Sequence, residues 1–433
     1  MFRRKFMTTL LEWKNKKNTE CLLVKGARQV GKTFIIREFG RQHYKNVVEL
    51  NFFLFAAHKK FFKGNLDANT IYSKLSLAFK GVKFDKDTLL FLDEIQYCGP
   101  ARTALKFLSE DGRCDVVASG SMLGIAYKQT ASIPVGYERQ VEMFSMDFEE
   151  FLWAKGLTEE NLVLFRDHFI SKQKVDDFMN DTMLANMREY MLVGGMPSVV
   201  KAFINTNGDY NEVHTEQEKI IASYLDDIAK YAPTAVKPKA RACYLSITQQ
   251  LAKESNKKFQ YSLVEQGGTA RKFDTSIEWL KDAGLIKLCT NVSTPQFPLV
   301  SYVQRDYFKV YASDIGILVA MYGFNMKEKL FENTLKGPAK GGIYENLIAD
   351  ILLKKRLPLY YFKPGEGNQE IEFLYDDKGD IVPIEVKAGN NSSYSLNEFL
   401  TRYEPPYGLK LVTGNAGQAD KKITLPLYMA MFL

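Results

Sequence analysis

The sequence is poor in the residues that build metal centres and disulfide frameworks. Its five cysteines (Cys21, Cys98, Cys114, Cys243 and Cys289) are scattered along 433 residues and form no CxxC pair. Neither a zinc knuckle nor a disulfide scaffold is implied, and buried free thiols are the default expectation. The four histidines (His43, His58, His168 and His214) form no metal-spaced cluster, which argues against a zinc enzyme or a Ser-His hydrolase. No apolar run reaches the roughly 18–20 residues that a membrane helix needs. The first 17 residues are basic, but "MTTLLEW" is too short and too polar for a signal peptide. The expectation is a cytoplasmic protein with no membrane partner. A net charge of +7 permits an anionic partner without demanding one.

What is present suits a globular chain. With 46% hydrophobic and 25% charged residues a core can form, and the length suggests two to four domains.

The first chemical signal is "LLVKGARQVGKTFIIREF". Gly26, four residues, then Gly31, Lys32 and Thr33 fit G-x-x-x-x-G-K-[ST]. Leu22, Leu23 and Val24 read as a buried strand, and "KTFIIREFG" as a helix ending at Gly40. Phosphate binding explains the residue types. Successive backbone N–H groups must face phosphate oxygens, glycines allow the turn, and a helix N-terminus adds partial positive charge. The loop residues Gly26, Ala27, Arg28, Gln29, Val30, Gly31, Lys32, Thr33 and Phe34 are therefore assigned to nucleotide binding. Lys32 is expected to reach the β- and γ-phosphates, and the Thr33 hydroxyl to ligate Mg2+.

A second signal supports the first. "DTLLFLDEIQ" is a continuous apolar run ending in Asp93 and Glu94, the pattern of a central parallel strand with acids where α/β ligands bind. Asp93 is assigned to Mg2+ and Glu94 to the attacking water. Two further residues carry open alternatives. Ser119, at the end of "CDVVAS", either senses the γ-phosphate or serves the turn. Arg139 is either a finger, in cis or from a neighbouring subunit, or a surface arginine.

The segments "GARQVGKT", "LFLDEIQ", "ASGS" and "PVGYERQVEMFSMDFEEFL" resemble AAA-like P-loop ATPases that carry an uncharacterised C-terminal domain. "YMLVGGMPSVV" and "SYLDDIAKY" fit the same family, and the resemblance runs over nearly the whole chain. It implies ATP as ligand, Mg2+ as cofactor and a helical lid after the nucleotide core.

The remaining chain is mainly helical from about residue 147 to 231, with breaks at Gly194, Gly195 and Pro197. "YSLVEQGGTARKFDTSIEWLKDAGLIKLCTNV" follows helix-turn-helix-strand order, the outline of a winged helix, with Asp274 expected to cap its longer helix. That module either reads DNA or serves packing and protein contacts; its acids Asp274, Glu278 and Asp282 make a poor footprint for phosphate.

Near the far end, "NQEIEFLYDDKGDIVPIEVKAG" reads as a hairpin. Alternation places Glu370 with Glu372, and Glu385 with Lys387. If Glu372 and Glu385 lie side by side they offer oxygen ligands to Mg2+ or Mn2+, with Lys387 beside them and Glu345, from an upstream helix, as a further acid. This resembles the PD-(D/E)xK nuclease superfamily, although the first acid is Glu372 where aspartate is usual. A solvated, alternating sheet face is the other reading, since fold does not imply function.

The expected class is α/β, with four parts: a P-loop core (residues 1–155), a helical lid (156–235), a winged helix (236–332) and a nuclease-like domain (333–433). The expected function is Mg2+-dependent ATP hydrolysis coupled to nucleic-acid processing. The alternative is an ATP-dependent regulatory or defence switch that binds DNA or a protein partner without cleaving it. Oligomerisation is compatible with either.

Overall fold

Continuous apolar runs in the first third of the chain make a parallel sheet. The computed structural model describes residues 2–16, 19–121, 136–253, 258–364, 369–389 and 393–433. Residues 134–135 of the "PVGYERQVEMF" segment lie outside the described residues. The strands are β1 (Cys21–Gly26), β2 (Asn46–Asn51), β3 (Thr88–Asp93), β4 (Asp115–Ser121) and β5 (Glu138–Glu142). Their spatial order is β2-β3-β4-β1-β5, and every pairing is parallel. All six residues of β3 are buried, as a strand covered on both faces requires.

Parallel strands point their C-terminal ends the same way. Gly26, Asn51, Asp93 and Ser121 therefore sit along one edge of this sheet. Because β4 lies between β1 and β3, its C-terminal end falls between the phosphate loop and the acid pair. The helix Lys32–His43 buries Ile35, Ile36 and Phe39. It runs three residues past the expected stop at Gly40, because Gly40 is packed inside against Val47 and Leu89.

The chain divides into two compact units, one of Arg3–Ser145 with Asp282–Gly284 and one of Met146–Lys281 with Leu285–Leu433. The second unit opens with the helices Phe148–Ala154, Glu159–Ser171, Asp177–Val193, Pro197–Asn205 and Tyr210–Tyr231. Asp147 and Glu150 form a reciprocal capping box at the first. Pro197 starts the fourth, where its missing N–H costs nothing.

An eight-stranded sheet follows, built from β6 (Ile286–Val292), β7 (Val303–Ala312), β8 (Tyr360–Phe362), β9 (Ile371–Asp377), β10 (Asp380–Lys387), β11 (Gly408–Val412), β12 (Gly417–Ala419) and β13 (Lys422–Pro426). Its order is β12-β13-β11-β10-β9-β8-β6-β7. The β6/β7 hairpin thus shares one sheet with the C-terminal strands, joined by the parallel pairing of β6 with β8. Upstream of β6, the short helix expected to open the module is a 3-10 turn at Tyr261–Leu263, and the longer helix expected to start at Asp274 starts earlier, as Ala270–Asp282. Asp274 is inside that helix and caps nothing; its carboxylate accepts a hydrogen bond from the Tyr261 hydroxyl.

The β9/β10 hairpin turns through Lys378 and Gly379, both at positive φ, as a two-residue hairpin turn demands. Its strands do not alternate in burial. The six residues of β10 from Ile381 to Val386 are all buried: β10 lies inside the sheet between antiparallel β9 and parallel β11, and the helices Pro338–Lys354 and Tyr394–Tyr403 pack against it. A solvated sheet face is thereby ruled out: Glu385 is 1% exposed. Among the described residues, no helix is long and apolar enough to cross a membrane.

Candidate nucleotide site and C-terminal acid cluster

The glycine loop joins β1 to the helix Lys32–His43. Gly31 adopts φ 96°, a left-handed conformation that a side chain disfavours. Gly26 has a different constraint. A Cβ there would stand 2.3 Å from the Met143 carbonyl oxygen, so the loop can start only from a glycine. Gln29 also takes positive φ, at 66°. Val30 packs inward at 2% exposure, and its carbonyl accepts a 3.0 Å hydrogen bond from Arg4. Ala27 and Arg28 lie in the turn, and Phe34 points outward, 57% exposed.

Lys32 is buried, and its ammonium donates to the Gly26 and Ala27 carbonyls at 3.0 and 2.7 Å. Burial pushes the ammonium down to about 8, against the pull of Glu94 and Asp93. A phosphate would supply the counter-charge this lysine lacks.

Asp93 meets the loop at Thr33. The Thr33 hydroxyl lies 3.2 Å from both carboxylate oxygens of Asp93, which is 1% exposed. The Ser119 hydroxyl donates to the same carboxylate. A hydroxyl and a carboxylate are hard oxygen donors of the kind Mg2+ accepts beside phosphate oxygens. Glu94 follows at φ 54°, a left-handed backbone unusual for glutamate.

Two residues of this site were not anticipated. Asn51 donates to the Asp93 carboxylate at 2.8 Å, and its side-chain oxygen accepts from the Phe53 and Leu54 amides at 3.0 and 2.7 Å. Gln96 donates to the Glu94 carboxylate. The only clue to Asn51 is a polar residue closing the run "NVVELN" at a strand's C-terminal end.

Arg139 is not brought to this edge. It lies on β5 opposite Leu22, four residues back along β1 from Gly26, and one of its terminal nitrogens is buried without a hydrogen-bond partner. At roughly 3.3 Å per residue it stands about 13 Å from the loop end of the strand, so it is not placed as a finger in cis.

In the second unit, Glu345, Glu372, Glu385 and Lys387 do gather. The register puts Ile384 opposite Phe373, and hence Glu385 beside Glu372 across the hairpin. The Lys387 ammonium lies 3.3 Å from Glu385 and 3.6 Å from Glu372. Burial pushes the Glu372 carboxyl up, with Lys387 opposing. Both Glu385 oxygens and one of Glu372 are buried without a hydrogen bond. Glu345 faces different partners. Lys309, 0% exposed on β7, lies 3.4 Å from Glu345 and contacts Glu370, and the Tyr311 hydroxyl donates to Glu345 at 3.2 Å. Burial opposes the Lys309 charge, and the Glu345 and Glu370 carboxylates more than offset it, so the lysine stays protonated. Among the described residues, no three acidic, histidine or cysteine side chains converge as a metal site. The glutamates are interleaved with lysines, Lys309 with Glu345 and Glu370 and Lys387 with Glu372 and Glu385.

Comparison with known proteins agrees with the first unit. Residues 18–152 match a family model described as an AAA domain. Residues 184–328 and 340–430 match two domains of unknown function, DUF8612 and DUF4143. No curated protein matches the sequence. Solved structures similar to the chain include a Walker-type ATPase of Pyrococcus abyssi, at 14% identity and TM-score 0.45, covering 74% of this chain and 96% of that one. The Aeropyrum pernix ORC1 protein in complex with DNA is similar at 12% identity and TM-score 0.30, covering 76% and 94%. The Saccharomyces cerevisiae Hsp104–ADP complex is similar at 12% identity and TM-score 0.30, covering 82% and 44%. With its glycine loop, its buried Asp-Glu strand and its family match, the segment 18–152 is an AAA-type P-loop ATPase-like domain.

Proposed function

We propose that the protein binds ATP with Mg2+ at the glycine loop and hydrolyses it. The observation that carries this reading is the meeting of Thr33 and Asp93 at 3.2 Å beside a buried Lys32. The backbone amides of residues 27–33 cradle the phosphates, and Lys32 turns from its own loop carbonyls to the β- and γ-phosphate oxygens. Thr33 and Asp93 would hold Mg2+, which when bound offsets charge on the phosphate oxygens. Ser119 and Asn51 fix the Asp93 carboxylate from two other sides. Glu94, oriented by Gln96, holds the attacking water and takes its proton.

What hydrolysis drives is a change in partner binding. Asn51 supports this reading, because one side chain touches both the Asp93 carboxylate and the amides of an exposed loop. In that loop Phe53, Leu54 and Phe55 are 55%, 63% and 56% exposed. A change at Asp93 alters what holds that loop. The five buried free cysteines support a reducing compartment, the cytoplasm. The test is ATP turnover by the wild type, with and without Mg2+, beside Lys32→Ala and Glu94→Gln. Mg2+-dependent turnover lost in both variants supports the assignment, and turnover unchanged in Glu94→Gln removes it.

A further inference from the structure

We infer that Arg4 is a positioning residue of the phosphate loop, fixing the Val30–Gly31 peptide so that the Gly31 N–H faces the side on which phosphate is bound. The inference rests on the reading above, that this loop holds ATP, and adds to it a residue far outside the glycine motif. The Arg4 guanidinium bridges two backbone carbonyls. One terminal nitrogen donates to Val30 at 3.0 Å and the other to Phe144 at 2.8 Å.

A trans peptide unit is planar, so its carbonyl and its N–H point in opposite directions. The Val30–Gly31 peptide is trans. Arg4 holds the Val30 carbonyl on one side, which leaves the Gly31 N–H on the other. Among the described residues that N–H donates to no protein backbone group. The peptide needs such a hold. The Val30 side chain is 2% exposed, which pins the residue but not the peptide plane after it. Gly31, at φ 96° and without a Cβ, offers little resistance to a turn of that plane. A turned peptide would present a carbonyl oxygen to a phosphate oxygen, and the two repel.

Both ends of this clasp are themselves fixed. Phe144 follows Met143, whose amide donates to the Lys25 carbonyl at 2.8 Å and whose own carbonyl oxygen is packed against Gly26. Arg4 precedes the helix Phe6–Asn15, which buries Phe6, Leu10 and Trp13. The Arg4 carbonyl accepts from the Met7 amide at 3.1 Å. Gly26 and Val30 are thereby tied to one segment, Met143 and Phe144. Arginine suits the task, because its planar fork carries donors on separate nitrogens and reaches two acceptors at once. Lysine has a single nitrogen to offer.

The experiment measures KM and kcat for ATP with Mg2+, and thermal melting without nucleotide, in the full-length wild type, Arg4→Met and Arg4→Lys. Arg4→Met keeps an unbranched chain and removes both donors. Its KM is expected to rise about tenfold, the worth of one charge-assisted hydrogen bond to the loop. Its kcat is expected to stay within about twofold of the wild type, because the cost arises when the peptide turns to bind and not in the bound complex. Arg4→Lys is expected to fall between the two. An arginine that only stabilises the fold would lower Tm and, through lost active protein, the apparent kcat, with KM unchanged; that result overturns the inference. Wild-type turnover with an unchanged KM in both variants overturns this inference alone, whereas a wild type that turns over no ATP overturns it together with the reading it rests on. If Arg4→Met does not fold, Arg4→Lys decides, and a wild-type KM there overturns the inference.

Discussion

Thr33 and Asp93, sixty residues apart in sequence, meet with the threonine hydroxyl 3.2 Å from both carboxylate oxygens. The pair joins the start of one helix to the end of a buried strand, and this contact links the phosphate loop to the acid edge. Replacing Thr33 with valine keeps the shape and removes the oxygen. The Mg2+ concentration for half-maximal turnover is expected to rise on the order of tenfold, the loss of about 1.4 kcal/mol of binding. A magnesium titration of the ATPase rate checks this; an unchanged midpoint argues against Thr33 as a ligand.

Asn51 is expected to matter twice. Asn51→Ala removes a donor from the buried Asp93 carboxylate and an acceptor from two loop amides. A stability loss of about 1–3 kcal/mol is expected from the unpaired groups, readable by denaturant unfolding. Protease cleavage near Phe53 is expected to become insensitive to ATP in the variant, while ATP protects or exposes that loop in the wild type.

Gly26→Ala forces a Cβ to within 2.3 Å of the Met143 carbonyl, a backbone atom that cannot swing aside. The variant is expected to lose about 1–3 kcal/mol of stability from overpacking and to bind ATP poorly, because the loop must shift where it should cradle phosphate. Fluorescent-nucleotide titration and thermal melting measure the two effects separately.

Lys327 sets a pH dependence far from the nucleotide. It is 2% exposed, and burial pushes its ammonium down to about 7, with Glu218 opposing. Its nitrogen donates to Gln217. An unfolded lysine titrates near 10.4, so between pH 7 and about 10 the unfolded chain binds more protons at this residue than the folded one. This residue's contribution to stability therefore rises with pH across that window and is flat below it. Lys327→Gln retains a donor for Gln217 and removes the charge. The rise should vanish from the variant's stability profile; an identical slope in both proteins would show that Lys327 is not the titrating group.

Much of this was legible from residue order. The glycine loop is contiguous, and a strand-loop-helix that binds phosphate must spell out its chemistry locally, so Gly26, Lys32 and Thr33 were readable, as was the Asp93-Glu94 strand end. Hairpin alternation also put Glu385 beside Glu372. Contacts made by the tertiary fold were not readable. Asn51 reaches Asp93 only because β2 and β3 pair in parallel, and Lys309 reaches Glu345 across thirty-six residues. The two-sided burial of β10 comes from the helices Pro338–Lys354 and Tyr394–Tyr403 packed against it, which the hairpin alone does not reveal. The distance of Arg139 from the phosphate edge was not readable either, because it depends on strand register, with Leu22 opposite it.

The most direct measurement is single-turnover ATP hydrolysis by Glu94→Gln, with nucleotide binding followed in the same sample. The variant is expected to bind ATP as the wild type does and to hydrolyse it roughly 10²–10⁴-fold more slowly, the usual cost of a lost general base. Wild-type turnover in Glu94→Gln, or ATP binding that survives in Lys32→Ala at full strength, would contradict the assignment of this edge as the place where ATP is held and cleaved.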